Sequence, residues 1–209
     1  MDTSDGGLAS LVERARGLRR PGRRTILGIT GAPGSGKSTV ASAIVDGLGP
    51  DAVLVPMDGF HLAGAVLDAL GRTPRKGAID TFDGYGFVSL LRRLRSREEP
   101  IVYAPEFHRE IEEPIAGAIG IPSACTFVVT EGNYLLVPDQ PWGFVRQLLD
   151  EIWYLEPPED VRIARLVARH ERYGRTPEAA RERSLGSDQR NAELIAQYRD
   201  LADLVVHVA

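Results

Sequence analysis

The sequence predicts an α/β fold, a parallel sheet covered by helices on both faces, and three observations carry that expectation. Short apolar, partly β-branched runs at 25–30, 52–56, 126–130, 151–155 and 204–208 alternate with stretches of helical periodicity. The first run passes through a glycine-rich turn directly into an amphipathic helix. The chain is also of one-domain size, with 209 residues of which 43% are hydrophobic and 26% charged.

The first run, Thr25-Ile26-Leu27-Gly28-Ile29-Thr30, has the composition of a buried parallel strand. After it stands Gly31-Ala32-Pro33-Gly34-Ser35-Gly36-Lys37-Ser38-Thr39, a complete G-x-x-x-x-G-K-[ST] phosphate-binding loop. Glycines at this spacing let the backbone curl so that successive N–H groups point at phosphate oxygens. Lys37 is placed to reach the β- and γ-phosphates, and the Ser38 hydroxyl to meet Mg²⁺. Val40, Ala41, Ile44, Val45 and Leu48 then recur at helical spacing, so the helix dipole points at the same anion. The alternative, a plain Gly/Ser turn, does not need this strand–loop–helix order.

Ahead of that strand, residues 8–18 set Leu8, Leu11, Val12, Ala15 and Leu18 on one helical face among arginines. With Asp2, Asp5 and Glu13 present and no apolar stretch or cleavage site, the segment reads as an amphipathic helix lying on the domain rather than a targeting peptide. The expected division is residues 1–23 for this helix and 24–209 for the main domain. The formal net charge of −4 gives no sign of a nucleic-acid partner, and no apolar run is long enough for membrane insertion. A cytoplasmic location is the default expectation. The single cysteine, Cys125, excludes an intrachain disulfide and reads as a small buried hydrophobe.

In a doubly covered parallel sheet the ligand site lies beyond the carboxyl ends of the strands, so the strand ends hold the candidate chemistry. The second run ends in Asp58-Gly59-Phe60-His61. Asp58 reads equally as a base for an attacking hydroxyl or as the cap of a helix beginning near Leu62. The third run ends in Glu131-Gly132-Asn133-Tyr134, where an acidic residue supports Mg²⁺ and Gly132 leaves room for a ligand. Between them, 72–83 carries Lys76, the other of the chain's two lysines, and reads as a substrate loop or a solvated one. Residues 103–114 mix aromatics with both charge signs and lack periodicity, which predicts an irregular binding loop. His108 alone there reads as a hydrogen-bonded structural histidine.

Phe87, Leu90, Leu91 and Leu94 mark a further helix, Val161, Ala164, Leu166 and Val167 another, and Ala192, Ile195 and Ala196 the last. Within the second of these, Arg162, Arg165, Arg169 and Arg172 lie near one face, with Arg175 beyond Gly174. Arg162 reads as part of a solvated face paired with Glu159, whereas Arg169, Arg172 and Arg175 read as a lid that neutralises phosphate charge.

This ordered set resembles the phosphoribulokinase, uridine kinase and pantothenate kinase group of P-loop kinases, in particular a bacterial branch of nucleoside/nucleotide kinase-like proteins that includes fructose transport system kinases. The residues that carry the resemblance are the phosphate loop, Asp58-Gly59-Phe60-His61, the loop from Arg75-Lys76-Gly77 to Thr81-Phe82-Asp83, Thr130-Glu131-Gly132-Asn133-Tyr134 and the arginine-rich lid. The resemblance implies a P-loop NTPase three-layer sandwich with a five-stranded core in the order 2-3-1-4-5. It implies ATP and Mg²⁺, a small-molecule hydroxyl acceptor, and a homodimer as one assembly. Asp58 then matches the catalytic base, with Lys37, Arg169 and Arg172 stabilising charge. Arg175 and Asn191, with Asp188 nearby, fall on the nucleotide side. His61, Lys76, Asp83, His108, Arg109 and Tyr134 fall on the acceptor side, and Ser38 with Glu131 forms the metal site.

The function expected is transfer of the γ-phosphoryl group of ATP to a sugar or polyol, with nucleosides and vitamin precursors as alternative acceptors. A regulatory ATPase without an acceptor is the competing class. The N/T-K-x-D element of guanine-specific switches is absent, since the two lysines are Lys37 and Lys76. Intact Lys37, Ser38, Asp58 and Glu131 count against a protein that only binds nucleotide.

Overall fold

The computed structural model describes residues 7–208. Seven helices, α1 (Gly7–Gly17), α2 (Lys37–Leu48), α3 (Gly64–Ala69), α4 (Gly84–Ser96), α5 (Glu159–Arg172), α6 (Pro177–Leu185) and α7 (Ser187–Ala196), accompany seven strands. The strands are β1 (Thr25–Thr30), β2 (Ala52–Pro56), β3 (Ile101–His108), β4 (Glu113–Pro122), β5 (Phe127–Glu131), β6 (Glu151–Glu156) and β7 (Leu204–His207).

Five strands form one parallel sheet in the order β2-β5-β1-β6-β7. Counted among core strands alone this is 2-3-1-4-5; the last three strand numbers shift because β3 and β4 form a separate antiparallel hairpin. β1 and β5 are buried at every residue, as central parallel strands covered on both faces must be. Two apolar layers result. Ile26, Val128 and Ile152 face α4, Tyr134 and Trp142, while Leu27, Phe127, Val129 and Trp153 face α1 and α2. α1 reaches the second layer through Leu11 and Ala15, and its Val12 packs where a Cβ on Gly47 would stand 2.6 Å from it. Residues 1–6 of the expected N-terminal segment lie outside the described residues.

The hairpin replaces the irregular loop expected at 103–114. Its strand signal is weak because the ladder shifts register around Pro105 and only Val102, Ala104 and Ile121 are buried along it. Gly59 lets it press onto the Asp58 turn: a Cβ there would lie 2.3 Å from the Pro105 carbonyl oxygen. Arg24, 1% exposed, braces the opposite end of the sheet by donating to the carbonyls of Cys125 at 2.9 Å, Leu94 at 2.9 Å and Pro122 at 2.7 Å. Cys125 is buried, as its surroundings in the sequence predict. Among the described residues, no helix is long and apolar enough to cross a membrane.

Candidate active site

The carboxyl edge of the sheet opens into a cleft of about 1570 Å³ lined by the phosphate loop, the Asp58 turn, the tips of the hairpin and of the 73–77 loop, and the end of α5. The loop's backbone is possible only with glycine at its bends. Gly34 has φ 84°, where a Cβ would also collide with the Arg162 carbonyl oxygen at 2.7 Å. Gly36 has φ 89° and caps α2 without a side chain, leaving the first N–H groups of that helix for an anion.

Lys37 is 8% exposed and its Nζ donates to the carbonyls of Gly31 at 2.9 Å and Ala32 at 3.0 Å. Burial pulls its pKa down to about 8, against the opposing pull of Glu131 and Asp58. Ser38 Oγ donates to Glu131 Oε1 at 2.9 Å. Glu131, 6% exposed, has its pKa raised by burial first and by the Asp58 charge second. Ser35 Oγ is buried without a hydrogen-bond partner, an orphaned donor inside the loop. An orphaned hydroxyl, a glycine cradle and a buried lysine fit a phosphate chain.

The metal pair fits as well. Among the described residues no cluster of three or more His, Cys, Asp or Glu side chains could hold an ion. Mg²⁺ beside a polyphosphate keeps several waters and needs only one or two protein ligands, which Ser38 and Glu131 can supply.

Asp58 sits in the 3-10 turn Met57–Phe60 directly after β2. It does not cap the next helix, which begins at Gly64; its Oδ2 instead accepts from Arg109 Nη2 at 3.0 Å. The His61 ring lies between Phe82, 4.0 Å between centroids, and Phe107, 4.7 Å. Burial lowers its pKa, so the neutral ring donates from Nδ1 to the Asp58 carbonyl at 2.8 Å and keeps Nε2 as an acceptor. Lys76 also reaches the cleft, 5.1 Å from the Phe107 ring centre, and donates to the Glu112 carbonyl.

The lid divides. Arg169 lines the cleft, and burial followed by the nearby Arg109 charge lowers its pKa. Arg165 and Arg175 also line it, and so do Thr39 and Asn191, although the Asn191 amide donates to the Gly77 carbonyl at 3.2 Å. Arg172, three residues beyond Arg169 and the last residue of α5, is exposed and lies outside the cleft lining. Arg162 departs from its expected solvated role. It pairs with Glu159 at 2.5 Å as read, but it is 2% exposed and donates from Nη1 to the Pro33 carbonyl at 3.2 Å, bracing the phosphate loop from behind.

Three expected acceptor residues are also placed elsewhere. Asp83 is exposed and spends its carboxylate as the N-cap of α4, accepting from Gly86 N at 2.8 Å. His108 points outward and pairs with Glu106 at 3.4 Å. Tyr134 is fully buried, and its hydroxyl donates to the Gly77 carbonyl at 2.6 Å, so it holds the acceptor loop from below. The room at Gly132 is filled by Met57, 2.5 Å from where a Cβ would be. Asp188 accepts from or pairs with His170 Nε2 at 2.7 Å rather than standing free for a base.

Sequence reasoning missed Arg183, which donates to the carbonyls of Pro74 at 3.1 Å and Lys76 at 2.5 Å. It also missed the apolar far end of the cleft, with Leu8, Leu11, Pro157, Val206 and Val208. Both are assembled from distant segments, and no local pattern signals them.

The profile of the phosphoribulokinase / uridine kinase family matches residues 26–209. A solved structure described as a candidate fructose transport system kinase from Silicibacter sp. TM1040 is 38% identical. It superposes with a TM-score of 0.87 over 95% of this chain and 98% of its own. A candidate uridine kinase of Schizosaccharomyces pombe is 32% identical over 207 residues, 94% of this chain and 88% of the relative. An ATP-dependent kinase-like protein of Aspergillus versicolor is 38% identical over 152 residues, 68% of this chain and 88% of its own length. With the P-loop kinase fold, the phosphate loop and a family match across nearly the whole chain, this protein belongs to the phosphoribulokinase / uridine kinase family.

Proposed function

We propose that the protein transfers the γ-phosphoryl group of ATP to a hydroxyl of a small polar metabolite, a sugar or polyol. The observation that carries the reading is a carboxylate, Asp58, facing the same cleft as a buried phosphate-loop lysine and a serine–glutamate pair. A carboxylate facing the phosphate loop can activate a nucleophile, and the acceptor dependence of ADP release tells a hydroxyl from water. A kinase needs one to orient the acceptor hydroxyl and take its proton.

The roles follow from the geometry. The backbone from Gly31 to Thr39 cradles the phosphates, with Lys37 exchanging its two carbonyl contacts for phosphate oxygens. Arg169 and Arg175 spread positive charge over the transferring group, and Arg169, half-buried, acts where a charge counts for more than in water. Asp58 aligns the acceptor hydroxyl and accepts its proton, while His61 Nε2 takes a hydrogen bond from a second hydroxyl. The base of the nucleotide rests at the apolar end formed by Leu8, Leu11, Pro157 and Val206. Ser38 and Glu131 would hold Mg²⁺, which would supply charge neutralisation for the phosphate chain.

A nucleoside acceptor is the second reading. The relative described as a candidate uridine kinase favours it. A coupled ADP-release screen over sugars, polyols, nucleosides and vitamin precursors separates the readings. Release that depends on one chemical class assigns the acceptor. Release at full rate without any acceptor overturns the kinase assignment.

A further inference from the structure

The acceptor end of the cleft carries more cationic reach than a neutral polyol uses. Lys76 Nζ and the Arg109 guanidinium lie 5.1 and 5.8 Å from the centre of one ring, Phe107, which thus holds both cations on the acceptor side of Asp58. Both have donors to spare. Of the five guanidinium N–H donors of Arg109, the bond to Asp58 occupies one. Of the three ammonium donors of Lys76, one goes to the Glu112 carbonyl.

The competing anions are weak partners. The Glu112 carboxylate is 3.7 Å from Lys76 and 61% exposed, so water screens it. The Glu113 carboxylate is occupied by the Gly64 N–H at 2.9 and 3.1 Å. The Asp80 carboxylate pairs with Arg75 at 2.5 Å and Arg72 at 3.5 Å, and Glu131 is bonded to Ser38. Lys76 is nevertheless held in place, with its side chain 17% exposed and its backbone carbonyl bonded to Arg183. A cation that is ordered, screened from most water and incompletely neutralised is a site for an anion.

We infer that the acceptor is an anionic polyol, a small hydroxy compound bearing a carboxylate or a phosphate, whose charged group binds between Lys76 and Arg109 while its hydroxyl faces Asp58. This rests on the kinase reading and narrows its substrate. The charged group takes no part in the transfer, so its binding energy serves to position the hydroxyl at Asp58. It also gives Arg109 a partner other than Asp58, leaving the carboxylate to the hydroxyl it must orient. Phe107 and Phe82 exclude water beside the anion.

The test is calorimetric titration of the full chain, loaded with Mg²⁺ and a non-hydrolysable ATP analogue. The probes are two matched pairs: glycerol against glycerate, and ribose against ribose 5-phosphate. The expected result is that at least one anionic probe binds about ten-fold more tightly than its neutral partner. Which pair shows the difference tells a carboxylate from a phosphate. Lys76→Met should bring the ratio of that pair below about three-fold, and Lys76→Arg should restore it. Neutral probes binding as tightly as anionic ones, or no binding by either anionic probe, overturns the inference. So does a ratio untouched in Lys76→Met. The nucleotide arm reports on the kinase reading separately. An analogue that fails to bind sinks both readings, whereas turnover of neutral polyols alone when ATP replaces the analogue sinks only this one.

Discussion

The two ends of the cleft are built in opposite ways. At the phosphate end the cradle itself is local, and distant side chains, Arg162 on the Pro33 carbonyl and Glu131 on Ser38, only brace it. The loop joins adjacent elements, Lys37 bonds to carbonyls five and six residues back, and α2 begins inside the motif. At the acceptor end, each functional group is held by a partner far along the chain. Asp58 is met by Arg109, the 73–77 loop is held by Tyr134, Arg183 and Asn191, and the α3 start by Glu113. The first kind of site takes its shape from backbone geometry and suits a phosphate chain whatever the acceptor. The second depends on side chains from several elements and can be respecified one residue at a time.

The largest effect expected is at the phosphate end. Lys37→Met should lower kcat/KM by about 10³-fold, since the lost charge acts on the transferring group in a buried site. Within α5 the contrast is sharper. Arg169→Ala should lower kcat about 10²-fold, whereas Arg172→Ala, whose side chain faces solvent, should change it less than about two-fold. Steady-state kinetics on both variants checks whether the lid is one arginine wide or two.

Next come effects that cross from one end to the other. Gly59→Ala places a Cβ 2.3 Å from the Pro105 carbonyl oxygen, a backbone atom that cannot swing away. It should cost about 1–3 kcal/mol in denaturant unfolding and weaken acceptor binding, with nucleotide affinity little changed. Equal losses at both ends would show that the hairpin is not an acceptor element.

The smallest effect is a pH dependence confined to the phosphate end. Burial puts the free Lys37 near pKa 8. Above that pH the protein must take up a proton to bind a polyphosphate. The ADP dissociation constant should therefore rise, by up to about ten-fold per pH unit, while in Lys37→Met it should stay flat. Stability runs the other way. The unfolded lysine keeps its proton up to about 10.5, so between pH 8 and that value the unfolded state binds more protons and the free fold gains stability with rising pH.

This same division decided what the sequence could reveal. The parallel sheet and the phosphate loop follow from strand composition, helical spacing and glycines, which are local signals, whereas the strand order is implied by the family resemblance alone. Asp58 and Glu131 were legible as cleft residues because strand ends are short-range landmarks, and Ser38 because the loop motif fixes its place. Asp83 and Tyr134 sit in the right stretches, but whether a carboxylate caps a helix or faces a ligand depends on a half-turn of backbone. Arg162 and Arg172 share a helical stripe with Arg169, yet the phosphate loop covers Arg162 near the start of α5 and Arg172 is exposed at its end. The hairpin escaped because Pro105 and a register shift erase its alternation. Arg183 and the apolar end of the cleft are products of tertiary assembly alone.

The account turns on Asp58 acting on an acceptor, and the direct measurement is ADP release with and without acceptor in the native chain and in Asp58→Asn. The acceptor should stimulate release in the native chain. The variant should bind nucleotide with similar affinity while losing acceptor-dependent release by about 10²–10⁴-fold. Full acceptor-dependent transfer by Asp58→Asn, or release that ignores the acceptor in the native chain, would contradict it.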